Sequence, residues 1–304
     1  MNISYKNWWD NGQSDKWFKS FFMHYFGDCD RDIRLYSVFG NPEDLDEPFD
    51  GIKIFYSSEN LEPPKGMHAK EAVKWQQTWM NIYDNYAMDN VDISLGYGYQ
   101  NNEKYLRFPA FIRFTFLPDS NLASIRKRIE EINLRRVKTD ASGIAIVARH
   151  DQTCVRSEIC DRLEKEGFPI TYAGKWRNNT DKLWNKYHNH KVLFLTDYEF
   201  NICSENMNAE GYCTEKLHEC FRAGTIPIYY GSDNNPEPGM INHDAVIFWD
   251  DTGNNDNTVA LVQKLSADKK EFMDYCSQTR YRPEMADYVF DTMNALYDKV
   301  SAII

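Results

Sequence analysis

The residues with the clearest chemical potential lie between Phe200 and Gly231, in the segment FNICSENMNAEGYCTEKLHECFRAGTIPIYYG. Apolar alternation predicts a strand ending at Ser204, which leaves the polar pair Glu205-Asn206 at its carboxyl end. A glycine-containing loop follows. Thr214 then reads as the N-cap of a helix whose buried stripe is Leu217, Cys220 and Phe221, and Gly224 with Pro227 stops it. Lys216 breaks a local rule, because a cation in the first helical turn opposes the macrodipole. Either it snorkels into solvent at a small cost, or an anion such as a diphosphate sits at that N-terminus and turns the lysine into a binding group.

Two further positions have the placement that such chemistry needs. Arg177, in Gly174-Lys-Trp-Arg-Asn-Asn179, lies in a loop after another predicted strand, where a guanidinium is either an ordinary surface group or a fork for phosphate oxygens. Glu59 follows the strand Ile52–Tyr56 in Ser57-Ser58-Glu59-Asn60, the position of a general base at a strand's carboxyl end or of a plain loop acid. Trp8, Trp9, Trp75 and Trp79 are candidates for stacking on sugar faces, although the spacing of 75 and 79 equally suits core packing.

Other signatures are absent: no Walker A loop, no G-x-S-x-G elbow and no H-E-x-x-H, while Gly96-Tyr97-Gly98 lacks the third glycine of a dinucleotide fingerprint. Asp28-Cys29-Asp30 has the shape of a metal-binding D-x-D but reads as solvated carboxylates, and His188 with His190 lacks a third ligand. No metal site is predicted.

Composition bounds the rest. The 304 residues are 42% hydrophobic and 27% charged, enough for two domains with sizeable cores. Lys and Arg number 35 against 46 Asp and Glu, a net charge of −11, which disfavours nucleic acid and anionic membrane as partners. The basic cluster Arg126, Lys127, Arg128, Arg135 and Arg136 reads as a solvated helix face. Seven cysteines without C-x-x-C spacing predict reduced, mostly buried thiols. With no apolar run of membrane-span length and no leader-like start, the expected location is cytoplasmic, and peripheral membrane contact is left open.

These positions must be held by alternating elements. Strands are predicted at Ile3–Tyr5, Ile33–Phe39, Ile52–Tyr56 and Val91–Leu95, with helices at Lys16–Tyr25, Ala69–Tyr86 and Leu122–Val137. After the polar stretch 138–143 the alternation restarts, with strands at Ile144–Ala148, Phe168–Tyr172, Glu199–Ser204, Thr225–Tyr230 and Ala245–Trp249. Helices at Val155–Lys165, Thr214–Ala223, Thr258–Ser266, Lys270–Ser277 and Pro283–Val300 complete it. The expected fold is α/β with two doubly wound, Rossmann-like domains offering strand carboxyl ends to a cleft. The expected domains are residues 1–138 and 139–285, with a C-terminal helix, 286–304, packing back on the first.

Together these segments resemble the α-1,3/1,4-fucosyltransferase family, particularly its bacterial members. The resemblance rests on Glu205-Asn206, Gly211-Tyr212-x-Thr214-Glu215-Lys216 and Ile226-Pro-Ile-Tyr-Tyr-Gly231, about thirty residues with the spacing kept. Asn7-Trp8-Trp9, Phe55-Tyr56-x-x-Glu59-Asn60, Val91 through Gly98 and Tyr105-Leu-Arg-Phe-Pro109 extend it. Ser204 and Met207 depart from it, standing where an aromatic and a serine are common.

The resemblance implies a GT-B fold, with an acceptor bound by the N-terminal domain, near Asn7 and Trp8, and GDP-fucose bound by the C-terminal one. It implies an inverting fucosyl transfer to a β-galactosyl-N-acetylglucosamine-type glycan, α-1,3-linked. Glu59 would deprotonate the acceptor. Arg177 and Lys216 would neutralise the departing diphosphate, and Glu215 would bind the ribose. Glu205, Asn206, Tyr212 and Thr214 would complete the donor pocket. No cofactor is then required, and a divalent ion is at most stimulatory. A transferase of the same fold with another donor or acceptor, and a non-catalytic glycan- or nucleotide-binding protein, are the alternatives.

Overall fold

A computed structural model of the chain describes residues 1–12, 15–251 and 253–304. The backbone forms two units: Met1–Pro63 with Gln76–Arg126 and Ala286–Ile304, and Pro64–Trp75 with Lys127–Met285.

In the first unit, β1 (Ile3–Lys6), β2 (Ile33–Tyr36), β3 (Ile52–Tyr56), β4 (Ile93–Gly96) and β5 (Tyr105–Arg107) form one parallel sheet in chain order. Ile52, Ile54, Phe55 and Tyr56 of β3 are all buried, as expected for a parallel strand covered on both faces. Helix α1 (Trp17–Phe26) sits between β1 and β2, and α2 (Ala69–Ile82) between β3 and β4. Helices α3 (Ala110–Thr115) and α4 (Leu122–Asn133) follow. The expected extension of α2 to Tyr86 stops short because Tyr86 and Ala87 take left-handed φ of 54° and 56°. Helix α4 ends before Val137, and Asn133 Oδ1 there accepts the N–H groups of Arg280 and Tyr281.

The second unit contains β6 (Ile144–Ala148), α5 (Val155–Lys165), β7 (Ile170–Gly174), α6 (Lys182–Asn185) and α7 (Lys191–Leu195). It continues through β8 (Phe200–Ile202), α8 (Glu215–Ala223), β9 (Ile226–Tyr229), β10 (Ile247–Phe248), α9 (Asp256–Ala267) and α10 (Lys269–Cys276). Its sheet is parallel in the order β10-β9-β8-β6-β7. The chain leaves β6 toward β7 and then returns to the other side for β8, so strand order reverses between β6 and β8. A crevice opens at the carboxyl ends of strands at such a switch point. Ile144, Ile146, Val155, Ile159, Leu163, Ile228 and Val262 pack the core around it, each worth roughly 1.5–3 kcal/mol of burial.

The last helix, α11 (Met285–Ser301), buries Met285, Val289, Met293, Leu296 and Val300 at helical spacing. It packs in the first unit, with the Tyr297 ring stacked on Phe26 at 5.2 Å and Tyr288 bonded to Arg107. Five of the seven cysteines are buried, Cys29 is half-buried and Cys154 exposed, and all are free thiols. Among the described residues no helix is long and apolar enough to cross a membrane.

Candidate functional site

At the β6/β8 switch point, the chain after β8 places Ser204, Glu205 and Asn206 beside the N-terminus of α8. Glu205 is fully buried. Its carboxylate accepts the Thr214 N–H at 2.8 Å, the Thr214 hydroxyl at 2.7 Å and Lys216 Nζ at 3.0 Å. Gly231 makes room for it: a Cβ there would come within 2.7 Å of Glu205 Cγ, and the φ of 135° itself favours glycine. Thr214 stands at the N-cap as expected, but its hydroxyl donates to Glu205 instead of accepting a helix N–H.

Lys216 therefore neither snorkels nor waits for an outside anion to justify its position. Glu205 supplies the negative charge. Burial disfavours the Lys216 ammonium, but Glu205 and then Glu215 outweigh it and hold its pKa above the usual range. Two Lys216 protons go to Glu205 and Thr214, at 3.0 and 2.9 Å, and the Glu215 carboxylate stands 3.9 Å away. An ammonium has three donors, so one remains for an incoming anion. Burial pushes the Glu215 carboxyl up, yet Lys216 and Lys191 together bring it below its ordinary value.

The buried guanidinium of this group is one that the sequence patterns did not single out. Arg156, in the first turn of α5, donates to the His150 carbonyl at 2.5 Å and to Asn206 Oδ1 at 2.8 Å. With Lys191, Ser204 and Lys216 it lines a small cavity of about 10 Å³ at the carboxyl ends of β6 and β8. His150 lies against the same cations, and burial, then Arg156 and Lys216, pull its pKa below the usual imidazole value. Arg156 hid in the sequence as one charge within an ordinary amphipathic helix. The signal that could have found it was its place in the first turn after β6, where a cation opposes the dipole as Lys216 does.

Arg177 is not brought into this group. It is exposed after β7, where it pairs with Asp161 of α5 and lies over the Trp176 ring at 4.7 Å. Asn206, Tyr212, Thr214, Glu215 and Lys216 all lie in the loop and first helical turn beside Glu205. Tyr212 is buried, and its carbonyl accepts the Ser232 hydroxyl at 2.6 Å. Asp28 and Asp30 are exposed. His190 caps α7 by accepting the Leu193 N–H. Among the described residues no group of three His, Cys, Asp or Glu has the arrangement of a metal site.

In the first unit, Glu59 follows β3 in a short turn, with its N–H donating to the Ser57 hydroxyl and Gln76 Nε2 donating to its carboxylate at 3.1 Å. Its chain neighbour Ser58, with Trp8, Trp9, Phe39, Tyr56, Arg113 and Phe114, helps line a cavity of about 190 Å³ that opens to solvent. Trp8 is mostly core, stacked on Tyr56 at 5.8 Å and only 8% exposed, whereas Trp9 is 53% exposed. At the base of this cavity Arg113 pairs with Asp15, and its guanidinium lies over the Phe18 and Tyr56 rings at 4.7 and 4.8 Å. Asn7 takes a left-handed φ of 55° and donates its side-chain amide to the Asn41 carbonyl, so it shapes the loop after β1. Trp79 packs on Phe39, while Trp75 contacts the His150 ring at 5.0 Å.

Removing Glu205 leaves the Lys216 charge without its buried partner. Glu205→Ala should therefore destabilise the chain by about 3–5 kcal/mol, read as a lower urea midpoint at unchanged slope. A loss below about 1 kcal/mol would show that water replaces the carboxylate at no cost.

Two family models match the chain. "Glycosyltransferase family 10 (fucosyltransferase) C-term" matches residues 137–295, and "Alpha-(1,3)-fucosyltransferase FucT N-terminal domain" matches residues 3–114. The chain is 26% identical to the alpha-(1,3)-fucosyltransferase FucT of Helicobacter pylori over 318 aligned positions, covering 90% of this chain and 59% of that protein. It is 36% identical to alpha-(1,3)-fucosyltransferase B of Drosophila melanogaster over 97 residues, 31% of this chain and 21% of that one. The chain thus spans about three-fifths of the H. pylori protein and about a fifth of the Drosophila one.

The crystal structure of an alpha1,3-fucosyltransferase with GDP superposes with a TM-score of 0.57 at 18% identity, covering 98% of this chain and 90% of that one. One with GDP-fucose gives 0.55 at 19% identity, covering 96% and 90%. At that identity the likeness establishes the fold, a GT-B architecture of two Rossmann-like domains. With the C-terminal match alone spanning residues 137–295 of 304, the chain belongs to glycosyltransferase family 10, the fucosyltransferases.

Proposed function

We propose that this chain transfers L-fucose from GDP-fucose to a hydroxyl of a β-galactosyl-N-acetylglucosamine-type glycan, with inversion and an α-1,3 linkage. The observation that carries this reading is the Arg156–Lys216 group at the switch point of the second sheet. It joins a buried guanidinium to an ammonium with a donor to spare, at the end of a cavity.

An inverting displacement needs a base on one face of the sugar and a charge sink on the other. Glu59 is the base: it takes the proton of the acceptor hydroxyl as that oxygen bonds to the anomeric carbon. The bond from the anomeric carbon to GDP breaks in the same displacement, and the negative charge left on the diphosphate is met by Arg156 and Lys216. Both donors are fixed before the reaction, Arg156 by the His150 carbonyl and Asn206 and Lys216 by Glu205, so no reorganisation is needed as charge develops. Glu215, held ionised by Lys216 and Lys191, accepts hydrogen bonds from the ribose hydroxyls. Asn206 and Tyr212 line the donor pocket. In the first unit the aromatic cavity beside Glu59 takes the acceptor, with the exposed face of Trp9 as the platform for a sugar ring.

The test is GDP release from GDP-fucose in EDTA, with and without N-acetyllactosamine. Release that requires the acceptor and ignores EDTA is expected. Binding of GDP-fucose without release on any β-galactosyl acceptor would overturn the acceptor assignment, and failure to bind GDP-fucose would overturn the donor.

A further inference from the structure

Glu59 is held by a side chain that no motif marks. Gln76 of α2 donates Nε2 to Glu59 Oε2 at 3.1 Å and is 1% exposed, while its own Oε1 is buried without a hydrogen-bond partner. Further along α2 and just beyond it, Trp79 packs on Phe39 with ring centroids 5.5 Å apart, and Tyr83 packs on Phe55 at 5.2 Å. Positions 76, 79 and 83 have the spacing of one apolar helix stripe, so a leucine or methionine at 76 would satisfy the fold. The glutamine instead leaves a buried carbonyl unpaired, a cost of about 1–3 kcal/mol. A local rule broken at that cost, in contact with a candidate base, points to function.

We propose that Gln76 is the positioning residue of the base, an inference that rests on Glu59 being that base. The amide NH₂ of Gln76 donates to the carboxylate, which favours the ionised form and fixes which oxygen faces the acceptor. Once Glu59 has taken the acceptor's proton on its other oxygen, Oε2 becomes the carbonyl oxygen of the neutral acid and still accepts from Nε2. One side chain thus holds the carboxyl group before and after proton transfer, without accepting the proton itself.

Gln76→Met keeps the volume and removes the donor. Its kcat should fall about tenfold to a hundredfold, between nothing and the full worth of a general base, with KM for GDP-fucose within about twofold. Losing a donor to the carboxylate raises the pKa of the base, so the acid limb of kcat/KM against pH should move up by about half a unit or more. Gln76→Glu, which sets a like charge against Glu59, should move it further the same way. The thermal midpoint of Gln76→Met should not fall, since an unpaired buried carbonyl has gone. In a Glu59→Gln background, Gln76→Met should cost nothing more.

The outcomes separate. A Glu59→Gln enzyme of near wild-type activity overturns the base and, with it, this inference. An inactive Glu59→Gln enzyme beside a Gln76→Met enzyme of unchanged kcat and unchanged acid limb overturns Gln76 alone. So does a Gln76→Met enzyme whose activity falls only in step with its folded fraction.

Discussion

Glu59→Gln is expected to lower kcat by about a hundredfold or more while leaving GDP-fucose affinity close to that of the wild type. The substitution is nearly isosteric, and Gln76 Nε2 still finds an acceptor in the new amide, so the turn after β3 keeps its shape. What disappears is the ability to accept a proton. The acceptor hydroxyl must then attack with its proton in place or lose it to water, and the barrier rises accordingly. Calorimetric titration with GDP-fucose and steady-state GDP release, run on the same preparation, separate binding from turnover. The acid limb of the pH profile should vanish with the carboxylate. Activity within tenfold of wild type would sink the assignment of the base.

The second large effect separates two arginines. Arg156→Met should cost about a hundredfold to a thousandfold in kcat, the loss seen when one preorganised donor to a developing charge is removed. Arg177→Met should stay within about threefold, because an exposed pair such as Arg177–Asp161 contributes little. Arg156→Met also strips donors from the His150 carbonyl and Asn206 Oδ1, at about 1–3 kcal/mol of stability. Its kcat must therefore be measured below the unfolding transition. Arg156→Lys keeps the charge but loses the fork, and should fall between the two. The reverse ranking, Arg177 large and Arg156 small, would return the phosphate contact to the loop after β7.

How far the sequence reaches can be judged from these same residues. The β8–α8 passage is legible because each of its signals is local: alternation up to Ser204, a polar pair, and a helix running from an N-cap Thr to Gly224, whose φ of 85° and bonds to the Cys220 and Phe221 carbonyls close it as expected. Glu59 is legible in the same way, as an acid at the end of a strand whose bounds, Ile52–Tyr56, coincide with the expected ones.

What stays hidden is long-range. Glu205 meets Lys216 eleven residues on, Arg156 meets Asn206 fifty residues on, and Gln76 reaches back to Glu59 across seventeen. No periodicity encodes those partners. Arg177 illustrates the cost: its loop lies on the expected side of its strand, but only the register of α5 shows that Asp161 claims it. Lys216 carries the same lesson with the opposite outcome. Its awkward helix position was visible, and the neutralising group was already within the chain.

The return of α11 to the first unit has a consequence for how the molecule is made. The first unit draws on residues 1–63 and 76–126 and is not completed until residues 286–304 are added. During synthesis its sheet can pair in chain order, yet Phe26, Tyr25 and Arg107 lack Tyr297 and Tyr288 while the whole second unit emerges. Within these residues that unit is thus finished after the second, and the side chains that α11 contacts wait for it. Residues 127–285, by contrast, hold nearly all of their own partners in one continuous stretch and have only the short segment 64–75 to recruit from upstream. Closing the first unit spans almost the entire chain, and the entropy of that closure rises only slowly with length. The burden is one of timing more than of stability, and it falls on the unit that carries Glu59.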